Sequence, residues 1–142
     1  MFKHILCPVD GSDCSRRGLA HAIALTLDQG AQLHLLHVVD NGPLVMYMPL
    51  TADAFEAARE CGREILAQAA AQARRGAVAA DVKLIEILTG RAADGIIEAA
   101  RQLQPDLIVM GTHGRHGLGR LLLGSDASAV VGTVAAPVLL VR

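Results

Sequence analysis

Tryptophan is absent, and the aromatic residues are confined to Phe2, Tyr47 and Phe55. So sparse a set cannot build a base-stacking platform for single-stranded nucleic acid. Any base bound here must lie against aliphatic side chains and backbone. Excess charge is also lacking: 13 Lys and Arg against 14 Asp and Glu leave a net −1, so no basic field calls for a nucleic acid. The three cysteines, Cys7, Cys14 and Cys61, are odd in number and have no CxxC spacing. This argues against a disulfide framework or a zinc knuckle and suits reduced thiols in a cytosol. Cys7 and Cys61 read as packing residues, while Cys14 falls near a helix start, where a thiolate is mildly stabilised. No apolar run approaches the roughly 18 residues needed to cross a bilayer. The opening MFKHILCPVDGS is a poor secretory signal, because its apolar run stops at Pro8 and Asp10. These absences point to a cytoplasmic chain that needs neither membrane nor nucleic acid.

What remains is an apolar chain of 142 residues, 52% hydrophobic, suited to one domain over 1–142. Five segments read as buried strands: HILCPV (4–9), AQLHLLHVV (31–39), DVKLIEIL (81–88), DLIVMG (106–111) and PVLLVR (137–142). Their near-continuous Val, Ile and Leu content predicts a parallel sheet covered on both faces. Four helical patterns separate them. The first (15–30) aligns Leu19, Ala22, Ile23 and Leu27 and stops at Gly30. The second (52–76) is alanine-rich and ends in Arg74, Arg75 and Gly76, with cations where a helix C-terminus favours them. The third (91–104) and fourth (125–135) are ended by Pro105 and Pro137. The connection 40–51 has no clear period and reads either as a lid or as a loop partly packed through Met46, Tyr47 and Met48. The order β-α-β-α-β-α-β-α-β predicts an α/β fold with right-handed crossovers and helices on both faces.

In such sheets ligands collect at the carboxyl ends of the strands. Three loops qualify: PVDGSD after the first strand, VDNGP after the second, and MGTHGRHGLGRLLLGS (110–125) after the fourth. In the last, Gly111, Gly114, Gly124 and Ser125 follow the spacing G-x2-G-x9-G-S between a strand and a helix. Glycines let a ligand approach the backbone, consecutive amides can form an anion nest, and the helix start adds its unpaired N–H groups. Ser125 reads either as a phosphate-binding hydroxyl or as an N-cap. The segment from Gly119 to Ser125 lacks the lysine of a P-loop, and Leu122 breaks the dinucleotide pattern GxGxxG.

His113 and His116 lack a nearby acid or cysteine in sequence to complete a metal set, so a histidine donating to phosphate is the better reading. His4, His34 and His37, in or beside strands, read as structural. Asp10 ends the first strand. Its carboxylate suits two vicinal ribose hydroxyls, or else caps the first helix, which Ser12 or Asp13 could do instead.

Over essentially its full length the chain resembles the universal stress protein family. ILCPVDGSD, LLHVVD and above all GTHGRHGLGRLLLGS before APVLLVR carry the likeness. The resemblance implies a single-domain, Rossmann-like open parallel five-stranded sheet of order 3-2-1-4-5 that binds an adenine nucleotide across its strand ends. It implies ATP as ligand, with Mg²⁺ or Mn²⁺ on the phosphates. Asp10, entered through Pro8 and Val9, would meet the ribose and the Val38 backbone the adenine. Met110, Gly111, His113, Gly114, Gly124 and Ser125 would surround the phosphates. It also implies a homodimer through the final strand, 137–142.

Asp126 departs from the usual apolar or hydroxyl residue after that serine. It either complements the helix dipole or faces the phosphates, repelling them or recruiting a metal. Arg115 and Arg120 supply offsetting charge, since 112–123 contains no acid.

The leading expectation is an ATP-binding stress-response regulator whose loops after strands 1, 2 and 4 hold the nucleotide as a conformational or partner switch. A slow ATPase or phosphotransferase is one alternative, with His113 and Asp126 as the only local bases. A nucleotide-free dimeric interaction scaffold is another. A receiver domain fits the α/β order but not the residues, since paired acids are missing after the first strand and Leu88-Thr89-Gly90 follow the third.

Overall fold

Leucine- and valine-rich runs that have no polar face are driven to the middle of a sheet. The computed structural model describes residues 1–47, 51–113 and 123–142. It contains β1 (His4–Pro8), β2 (Gln32–Asp40), β3 (Ala80–Ile87), β4 (Leu107–Gly111) and β5 (Val138–Val141). All pair in parallel, in the order β3-β2-β1-β4-β5. Cys7 stands opposite Leu35, and Met110 opposite Leu140.

Side chains alternate across the pleat, and the two faces carry separate cores. On one face Ile5, Cys7, Leu35 and Val109 pack under α1 (Asp13–Gln29) and α3 (Ala52–Arg75). On the other, Leu6, Leu36, Ile108 and Met110 pack under α4 (Ala92–Leu103) and α5 (Ser125–Thr133). Burying each such leucine or isoleucine contributes about 1.5–3 kcal/mol. β3 departs from the expected double cover. It is an edge strand with one open flank, and Val82 is 54% exposed.

Helix termini follow local chemistry. Ser12 caps α1, its Oγ accepting from the Ser15 amide at 3.1 Å, and Gly30 ends it in the left-handed region at φ 62°. Leu27 does not share the buried stripe. It is 54% exposed, and Thr26 takes the inward position one helical turn beyond Ala22 and Ile23. Thr51 caps α3 through the Ala54 amide, and Arg74 and Arg75 occupy its last turn. The aperiodic connection after β2 contains a short helix, α2 (Gly42–Tyr47), too brief to show a hydrophobic period. Met48 lies outside the described residues. Among those described, no helix is long and apolar enough to cross a membrane.

Candidate functional site

The parallel sheet brings the carboxyl ends of β1, β2 and β4 to one edge, where they border a cleft of about 500 Å³. That volume lies within the usual range for small-molecule sites.

From β1 come Pro8, Val9 and Asp10. The Asp10 amide donates to Ser15 Oγ at 3.1 Å, and its Oδ1 accepts from the Ser12 amide at 2.9 Å. Capping of α1 belongs to Ser12, so Asp10 orders the turn rather than ending the helix.

From β2 come His37, Val38, Val39 and Asp40. His37 Nδ1 lies 2.7 Å from the Val9 carbonyl. A carbonyl only accepts, so the hydrogen sits on Nδ1, and this bond ties the first two loops together. The fully buried Asn41 fastens the second loop to β3, its amide donating to the Ile87 carbonyl and Nδ2 to Glu86 Oε2.

The third wall starts at Met110 and Gly111 and resumes at Gly124, Ser125 and Asp126. Gly111 lies against the first turn of α1, where a Cβ would fall 2.8 Å from the Cys14 carbonyl carbon. At the base of the glycine-rich segment the Gly124 amide donates to the Thr112 carbonyl at 2.8 Å. A Cβ on Gly124 would stand 2.7 Å from that same oxygen. Gly124 is also the N-cap of α5, with no side-chain cap hydrogen bond. Ser125 is therefore the first helical residue, and the N-capping alternative for it falls away.

His113 sits at the same end. Thr112 Oγ1 lies 2.9 Å from its Nδ1. When that hydroxyl donates, the ring hydrogen resides on Nε2. Nε2 is buried and has no hydrogen-bond partner among the described residues, an arrangement that costs about 1–3 kcal/mol unless another group satisfies it. Asp126 Oδ1 accepts from the Ala93 amide at 3.1 Å, across to the start of α4.

The charge balance is unusual. Among the described lining residues stand three carboxylates, Asp10, Asp40 and Asp126, and no lysine or arginine. No group of three His, Cys, Asp or Glu side chains among them gathers to hold a metal ion. Gly114 and Arg115, with His116 and Arg120, lie outside the described residues. The other ten residues expected at the site all line the one cleft.

Sequence reasoning missed the contributions of His37, of Cys61 and Ile65 on α3, and of Ala92 and Ile96 on α4. Two signals were available: Gly62 and Gly95, each inside a helical pattern, where a glycine marks close approach. Both contact β2 side chains, Gly62 next to His37 and Gly95 against Val38.

The Universal stress protein family model matches residues 1–142. A universal stress protein of Methanocaldococcus jannaschii is 38% identical over all of this chain and 83% of its own length. One from Thermus aquaticus is 38% identical over the whole of both. Among solved structures, a universal stress protein from Archaeoglobus fulgidus superposes with a TM-score of 0.78 at 22% identity, covering 100% of both chains. The same organism's protein in complex with dAMP gives 0.71 at 22%, covering 100% of this chain and 98% of that one. A family member from Arabidopsis thaliana with AMP bound gives 0.67 at 14%, covering 98% and 90%. At these identities the structural likeness speaks for the fold.

Proposed function

The chain belongs to the universal stress protein family, and from that premise we propose that it binds ATP in the cleft at its strand ends and acts as a nucleotide-responsive regulator. One observation carries this reading. The same cleft is lined by an α5 N-terminus without a side-chain cap and by His113, whose Nε2 is buried with no hydrogen-bond partner among the described residues. Helix-start amides are donors, and so is Nε2 when the Thr112 hydroxyl donates to Nδ1; both then suit phosphate oxygens. Family structures holding dAMP and AMP support an adenine nucleotide as the ligand.

The close approaches of Gly111 to Cys14 and of Gly124 to the Thr112 carbonyl hold the fourth-strand loop against α1 and the start of α5, so that backbone rather than side chain borders this end of the cleft. Charge fits only with help. Three carboxylates line the cleft, so Mg²⁺ or Mn²⁺ carried on the phosphate oxygens would neutralise what the described side chains do not. Asp10 would accept from the ribose hydroxyls, and the Val38 backbone would meet the base. Turnover has less support, because Asp126 already accepts from the Ala93 amide, which leaves His113 as the one local candidate base among the described residues. The reading is therefore binding and signalling rather than turnover.

The outer edge of β5 suits a second copy of the chain. It is a sheet edge beside exposed Leu139 and Val131, and we infer a homodimer through residues 137–142. Sedimentation should report a dimer that Leu139→Asp disrupts; a monomeric wild-type protein would rule it out.

Denaturing the purified protein and chromatographing the supernatant tests the ligand. An adenine nucleotide is expected, either retained from the cell or loaded with ATP and Mg²⁺. A protein that carries none and takes none up contradicts the reading.

A further inference from the structure

Helix α4 starts with a defect. Its N-cap is Arg91, whose side chain has donors only and cannot accept from the first-turn amides. The Asp94 amide donates to the Arg91 carbonyl at 2.9 Å, and the Arg91 amide donates to Asp94 Oδ2 at 2.7 Å. The Ala93 amide has no such local acceptor, and Ala93 is fully buried. Its partner comes from another helix, Asp126 Oδ1 at 3.1 Å.

That bond joins two helices that both form cleft wall. Asp126 stands in the first turn of α5, beside Gly124 and Ser125. One turn or less beyond Ala93, Gly95 packs so tightly on Val38 that a Cβ there would fall 2.8 Å from both Val38 γ-carbons. Ala92 and Ile96 of the same helix form cleft wall. A continuous path therefore runs from the phosphate-side helix through Asp126 and Ala93 to α4, and from α4 to the β2 residue on the base side.

We propose that Asp126 is a positioning residue: it caps α4 from α5 and holds the phosphate and base ends of the cleft in register. This rests on the nucleotide-binding reading of the cleft. The role differs from simple charge repulsion, because the helix start it caps offers a favourable seat for a carboxylate. Asparagine keeps an acceptor oxygen at this position, and alanine does not.

The test combines hydrogen exchange with binding, using Asp126→Ala and Asp126→Asn. In the ligand-free protein, Ala93 amide protection should fall in Asp126→Ala and persist in Asp126→Asn. Binding of AMP and adenosine should weaken about fivefold in Asp126→Ala, the factor for one ordinary hydrogen bond, and recover in Asp126→Asn. Ligands lacking the outer phosphates report register rather than repulsion. Unchanged Ala93 protection in Asp126→Ala overturns the cap. Unchanged AMP and adenosine affinity with lost protection overturns the register claim. A wild-type protein that binds no nucleotide defeats the functional reading instead, and Ala93 exchange still decides the cap.

Discussion

Gly111 and Cys14 approach so closely that α1 could not hold its present place over any larger residue at 111. A Cβ there would meet the Cys14 carbonyl carbon and Cβ at 2.8 Å and the Ser15 nitrogen at 3.0 Å. This contact sets the spacing between the first and fourth strand loops, hence the width of the cleft.

Gly111→Ala should therefore destabilise the protein by about 1–3 kcal/mol, the usual cost of overpacking, and weaken nucleotide binding with it. Gly132→Ala is the control. That site in α5 has nothing within 4 Å of the added carbon, so a gain of about 0.5–1 kcal/mol is expected. Denaturant melts of both variants check the pair; equal effects would mean that the approach at 111 is not restrictive.

Asp10→Ala should lower ATP affinity at least about tenfold, since a hydrogen bond to a charged group is worth about 1.5–3 kcal/mol. Stability should fall less, because among the described residues the side chain gives up a turn bond to the Ser12 amide while Ser12 still caps α1. If ATP affinity in a titration is unchanged, the ribose is held elsewhere.

Thiol reactivity should divide the cysteines. Cys61 is exposed and lines the cleft, whereas burial pushes the Cys7 thiol up to about 12. A maleimide should label Cys61 first and leave Cys7 untouched in the native state. Saturating ATP with Mg²⁺ should slow labelling of Cys61. Protection absent under saturation would place the nucleotide away from α3.

Stability should decline on mild acidification because of His34. Burial holds its protonation below the ordinary histidine value of about 6.5, Asp81 opposes this, and His4 reinforces it. The unfolded chain then binds the proton more readily, so the contribution is complete above about pH 6.5 and is lost as pH falls below it. Thermal melts across that range should show the slope, and His34→Gln should flatten it. An undiminished slope in that variant would assign the effect to another group.

The fold was legible because its signals are additive over many residues. Runs such as DLIVM and LHLLHVV cannot be amphipathic, and their alternation with helical periods leaves few topologies. The order 3-2-1-4-5 came from the family likeness, not from the periods, and pairing bears it out. Edges are harder: the likeness put strand 3 at the rim of the sheet, but the run DVKLIEI alone did not say that Val82 would face solvent. Leu27 failed for a related reason. It lies at the margin of the helical stripe, where one residue of phase decides between core and solvent.

Site residues divided the same way. Asp10, Gly111 and Gly124 were visible from loop chemistry at strand ends. His37 was hidden because a histidine within a strand looks structural, and its bond to Val9 crosses between two strands. The partnership of Asp126 with Ala93 spans 33 residues, and no local pattern encodes it. The residue that looked like an obstacle to phosphate is the cap of a neighbouring helix.

The central claim is tested most directly by calorimetric titration of the purified, nucleotide-stripped protein with ATP in the presence of Mg²⁺. Saturable binding near one nucleotide per chain is expected, weaker without the cation because three carboxylates line the cleft. No heat of binding at any ATP concentration, with the protein folded throughout, would contradict it.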